Sequence, residues 1–116
     1  ERPITMQLFE KDGSLAFEQN FGARIHGGGA RHSTLKNLRM YARSDYGKKT
    51  LKYRWFENSD NKTFKRFLVR GPGHRPNCVP RDDLADLLLE NQNMDLQHTQ
   101  QVIVFLNGEY WGIHTV

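Results

Sequence analysis

A single cysteine, Cys78, among 116 residues rules out an internal disulfide and leaves the redox compartment open. No apolar stretch approaches the roughly 20 residues of a membrane-crossing helix, so no membrane span is expected. No secretory leader is visible, and the first residue is Glu1 rather than Met, which suits a processed or excised product. The five histidines (His26, His32, His74, His98 and His114) lack the short spacings to one another or to cysteine that a structural zinc site needs. One thiol among prolines is a weak candidate for a nucleophile. Internal repeats and low-complexity segments are also missing. Apolar residues make up only 37%, which is little for a chain that must bury a core, and seven Phe, four Tyr and two Trp offset part of that.

Acids are scarce where the bases gather. Residues 22–75 hold 14 Lys/Arg against Asp45, Glu57 and Asp60, a balance of +11, while the remainder carries −7, for a net charge of +4. A basic middle between acidic ends suits a local anion site better than a uniformly sticky surface. On charge alone, a solvated basic face without a ligand explains it equally well.

Alternation of period two dominates. Ile4, Met6 and Leu8 share a face, Asp12-Gly13 is a favoured turn pair, and Leu15, Phe17 and Phe21 continue on the return strand. The return strand extends through 22–26, with Arg24 and His26 on one face and Ile25 opposite. A further strand over 37–43 sets Leu38, Met40 and Ala42 against Arg39, Tyr41 and Arg43. Residues 44–62 read as a polar excursion anchored by Leu51, Tyr53 and Trp55 or Phe56, and 63–69 as another strand. Leu84, Leu87 and Leu88 predict a helix over 81–90, with Asp82 and Asp83 in its first turn where the helix dipole favours anions. The apolar run Val102–Leu106 predicts a strand buried on both faces, and Asn107-Gly108 a tight hairpin into a strand from Tyr110 to Thr115. That strand is still in progress at the last residue, Val116, so the natural chain is expected to continue.

Gly27, Gly28 and Gly29 let the backbone curl so that N–H groups converge on an anion. Arg31, Lys36, Arg39 and Arg43 follow with positive charge. The pattern is neither G-x-G-x-x-G nor a Walker A loop. A tight turn between strands accounts for the glycines as well.

Several blocks taken together carry a resemblance. Arg24-Ile25-His26-Gly27-Gly28-Gly29-Ala30-Arg31, then Lys36-Asn37-Leu38-Arg39-Met40-Tyr41-Ala42-Arg43, resembles the opening signature of CotH-like (spore coat protein H) kinase domains. Phe64-Lys65-Arg66-Phe67-Leu68-Val69-Arg70-Gly71, the Arg81-Asp82 helix start and Val104-Phe105-Leu106-Asn107-Gly108-Glu109-Tyr110-Trp111-Gly112-Ile113 resemble later blocks, in family order. Gly73-His74-Arg75 departs from the family pattern.

The resemblance implies an α+β fold, mainly antiparallel β with one or two helices, like the N-terminal part of a protein-kinase-like fold. It divides the chain into an N-terminal β-hairpin (1–21) and the N-terminal part of a CotH-like domain (22–116), truncated at its C-terminus. It also implies a secreted or cell-surface atypical protein kinase that uses ATP and a divalent cation, Mg or Mn, on an extracellular or coat protein. Arg24, Gly27, Gly28, Gly29 and Lys36 would then lie at the nucleotide phosphates. The acids that bind metal and act as base would follow Ile113, past Val116. This chain therefore holds no catalytic residue and is expected to transfer no phosphate by itself. The alternative is a non-catalytic cell-surface or glycan-binding module, since exposed Trp and Tyr suit sugar rings, although Trp55 and Trp111 read more readily as core residues. Nucleic acid is not expected, because no base-stacking motif interleaves the basic centre.

Overall fold

The structure, a computed structural model, describes residues 1–57, 59–71, 88–89 and 98–116. Eight strands follow in order: β1 (Arg2–Phe9), β2 (Leu15–His26), β3 (Asn37–Tyr41), β4 (Leu51–Lys52), β5 (Thr63–Phe64), β6 (Arg66–Val69), β7 (Gln101–Leu106) and β8 (Glu109–Thr115). Short 3-10 turns at Gly29–His32 and Ser44–Tyr46 interrupt them. A four-stranded antiparallel sheet in the order β1-β2-β3-β6 is the frame.

The first hairpin forms where its turn chemistry places it. Gly13 takes φ 84, and Asp12 Oδ1 accepts hydrogen bonds from Ser14 N (2.9 Å) and Ser14 Oγ (2.6 Å). These bonds to the ionised form hold the Asp12 carboxyl below its usual range. At the second hairpin Asn107 (φ 51) and Gly108 (φ 83) both take positive φ, the geometry that matches the twist of paired strands.

Alternation decides the faces. Phe21, Met40, Ala42 and Val69 are buried on the inner face of the sheet, with Ile4, Met6, Leu8, Phe17, Ala23, Leu38 and Phe67 packed around them. The polar excursion covers that face. Leu51 and Trp55 leave it to enter the core, and Tyr53 and Trp55 meet edge to face at 4.9 Å. Trp55 also lies 5.7 Å from Phe67 and 6.0 Å from Phe17. Tyr53 Oη donates to a Glu10 oxygen at 2.7 Å, and burial together with that carboxylate pushes the phenol up to about 12.

The α+β expectation is corrected. Among the described residues the chain is mainly antiparallel β and has no helix of seven residues or more. The sheet's apolar face is closed by the aromatic anchors of the excursion, so no helix layer is required there, and the described part is not a kinase-like α+β fold. The helix expected over 81–90 lies outside the described residues except for Leu88 and Leu89, both helical. The strand expected over 63–69 is two strands, since Thr63–Phe64 pairs with β4 and Arg66–Val69 with β3.

The expectation that Val102–Leu106 is buried on both faces is also corrected. Val102 and Val104 are half-buried, whereas Ile103 and Phe105 are exposed. The run pairs only with β8, in a two-stranded ribbon, so one of its faces has no layer over it among the described residues. The ribbon joins the main sheet through reciprocal bonds, Arg70 N to Thr115 O (2.7 Å) and Thr115 N to Arg70 O (2.8 Å).

Candidate anion-binding site

Antiparallel register assembles the site on the outer face of the sheet. Arg24 on β2 stands directly opposite Arg39 on β3, and His26 opposite Asn37. β2 ends at His26 and Gly27 follows it, with a φ of 94 in a region L side chains rarely adopt. The chain then turns back on itself. Arg31 N donates to Gly28 O (3.2 Å), and Arg31 Nε donates to Gly27 O (2.9 Å). The result is a hollow of about 270 Å³ lined by Arg24, Ile25, His26, Gly27, Gly28, Arg31, Arg39 and Tyr41. A water molecule takes about 30 Å³ of liquid, so a phosphate group fits with room beyond it.

The lining brings three guanidinium groups together and contains no carboxylate. Like charges directly opposite across strands destabilise a sheet, so an arrangement with Arg24 facing Arg39 favours an anion between them. Arg39 Nη2 lies 3.3 Å from His26 Nε2. A guanidinium can only donate, so that imidazole nitrogen is unprotonated and accepts. Burial, then the charges of Arg39 and Arg70, lower the His26 pKa and keep the ring neutral near pH 7. The hollow therefore gathers guanidinium charge from three side chains.

The residues singled out from the sequence divide. Arg24, Gly27 and Gly28 line the hollow, and Gly29 and Lys36 do not. Gly29 opens the 3-10 turn that follows. Lys36 Nζ donates to Arg31 O and to Ser33 O, each at 3.0 Å, so its ammonium ties the loop together. Arg31 and Arg39 stood in the sequence only as nearby charge. The signal that finds Arg39 is its shared parity with Tyr41 and Arg43 on β3, but pairing it with Arg24 needs the register.

Below this loop Leu35 packs on Gly112, where an added Cβ would sit 3.1 Å from Leu35 Cδ1, and on Gly71. His114 is 1% exposed and stacked on Trp111 at 4.8 Å. Its Nδ1 lies 3.5 Å from Gly112 O, and Nε2 makes no hydrogen bond among the described residues. Burial lowers the His114 pKa, and the nearby carbonyls of Gly112 and Lys36 oppose this in part. With the folded pKa depressed, the unfolded chain takes up a proton first as pH falls below about 6.5. Stability is thus complete above that pH and declines between it and the folded pKa. Urea midpoints at pH 7.5 and pH 5 should show the decline, and His114→Phe, which keeps a ring against Trp111, should lessen it. An unchanged decline in the variant would assign the effect to other groups.

Among the described residues no group of three or more His, Cys, Asp or Glu is placed to hold a metal ion, and no helix is long and apolar enough to cross a membrane. The site thus defines a basic, phosphate-sized hollow on an antiparallel sheet, at a strand end closed by glycines. A profile of the CotH kinase protein family matches residues 23–116, and the chain belongs to that family. No curated protein and no solved structure matches it.

Proposed function

We propose that this chain contributes part of the nucleotide-phosphate site of a secreted or cell-surface atypical protein kinase that takes ATP and phosphorylates an extracellular or coat protein. The observation that carries the reading is the convergence of Arg24, Arg31 and Arg39 on one hollow free of carboxylates, beside the backbone of Gly27 and Gly28. Phosphoryl transfer depends on cations and converging N–H donors that hold and neutralise phosphate oxygens. Guanidinium groups match that need, because their planar fork binds two phosphate oxygens at once.

The residues present fit the phosphates of a nucleotide. Arg24, Arg31 and Arg39 would hold them, and Lys36 would fix the loop through the carbonyls of Arg31 and Ser33. Among the described residues no cluster of His, Cys, Asp or Glu is placed to hold the divalent cation, Mg or Mn. Membership in the CotH kinase protein family supports the reading.

Titration of the protein with ATP tests it. Charge-assisted hydrogen bonds are worth about 1.5–3 kcal/mol, so Arg24→Ala should weaken ATP binding about tenfold or more. Lys36→Ala should weaken it less, because its ammonium acts through the loop. Equal ATP affinity in wild type and Arg24→Ala would end the nucleotide assignment.

A further inference from the structure

The basic face does not stop at the hollow. Beyond Arg39, a second concavity of about 270 Å³ is lined by Arg39, Arg66, Phe67 and Leu68. Arg39 is common to both, so the two hollows adjoin across one guanidinium. Arg66 makes no hydrogen bond or ion pair among the described residues, and its side chain is exposed. The same face carries Arg43, which is paired with Glu1 at 3.3 Å. Arg66 is thus a fixed charge on a sheet face with no described carboxylate against it.

We propose that the stretch from Arg39 to Arg66 docks an extended acidic segment of the acceptor protein; this rests on the kinase reading above for the word acceptor, though not for the binding. The register supplies the spacing. Arg39 lies opposite Leu68 and Tyr41 opposite Arg66, so Arg39 and Arg66 are diagonal neighbours on adjacent strands, about 7–8 Å apart at the backbone. In an extended peptide, residues two apart repeat every ~6.6 Å and point to the same side. Two carboxylates in an acid-x-acid pattern therefore match the two guanidinium groups. Half-buried Leu68 offers the stretch an apolar floor. Single-stranded nucleic acid fits less well, because it gains affinity by stacking bases on open rings. Tyr41, the aromatic at the centre of this face, already carries the Arg43 guanidinium 4.8 Å above its ring.

The test uses fluorescence anisotropy at physiological salt with four probes of matched charge. They are a peptide with Asp at alternate positions, the same composition with its Asp residues contiguous, a sulfated oligosaccharide and oligo(dT). The alternating peptide should bind at least tenfold tighter than each of the others. Arg66→Ala should remove that preference and leave the ATP affinity within about twofold, and Arg66→Lys should restore only part of it. Arg39→Ala should weaken peptide and ATP together. Thermal unfolding of each variant checks that the fold is kept, as an exposed arginine allows. Peptide binding without ATP binding would leave the docking surface standing and remove the nucleotide site. No peptide binding, peptide binding indifferent to Arg66→Ala, or tighter binding of the sugar or the oligonucleotide would each overturn the docking proposal.

Discussion

Phe21→Ala is expected to cost about 3–5 kcal/mol of stability, the usual range for deleting a fully buried aromatic ring. Phe21 is 0% exposed. It stands opposite Ile4 on β1 and meets Phe67 of β6 edge-on at 5.5 Å, so its ring joins strands from the two edges of the sheet. Small domains have only about 5–15 kcal/mol in hand, so the loss is a large share. With urea slopes of about 1–3 kcal/mol per molar, the midpoint should fall by roughly 1–5 M. Phe9→Ala is the control, because Phe9 is 57% exposed and should change stability by less than about 0.5 kcal/mol. Similar midpoints for the two variants would show that the core does not lie between β1, β2 and β6.

Gly112→Ala is expected to be nearly as damaging, at about 2–4 kcal/mol, although it adds one methyl group. Two costs combine. Gly112 has φ 102, which a side chain makes strained, and a Cβ there would press Leu35 Cδ1 at 3.1 Å. The second cost reaches the candidate site, because Leu35 precedes Lys36, whose ammonium holds the loop carbonyls of Arg31 and Ser33. Gly112→Ala should therefore lower ATP affinity as well as the urea midpoint. Gly13→Ala, at a positive φ with open space around it, should show the strain alone and leave binding unchanged. If Gly112→Ala and Gly13→Ala cost the same, the contact between Leu35 and β8 has no energetic weight.

Much of the sheet is legible in the residues because it depends on neighbours in sequence. Period-two alternation places Ile4, Met6 and Leu8 inward and Arg24 outward, and Asn107-Gly108 specifies its own turn. The excursion over 44–62 is legible only in part. Its anchors Leu51, Tyr53 and Trp55 stand out in a polar stretch, but nothing local says that they close the sheet in place of a helix. The apolar run Val102–Leu106 misleads for a related reason, since apolar composition records a tendency to be buried and the partners present decide how far it is met.

The candidate site divides along the same line. By itself the sequence determined the basic centre, the flexible glycines after Arg24 and the blocks shared with the CotH kinase protein family, all of which are properties of short segments. Only the tertiary structure decided that Arg24 faces Arg39, that Arg31 folds back over Gly27, that Lys36 is held by loop carbonyls outside the hollow, and that Arg66 continues the charge beyond it. The physical reason is strand register. Shifting one strand by a single residue would turn every side chain to the other face, and what forbids that shift is the packing of Phe21, Met40 and Val69, which lie far apart in sequence.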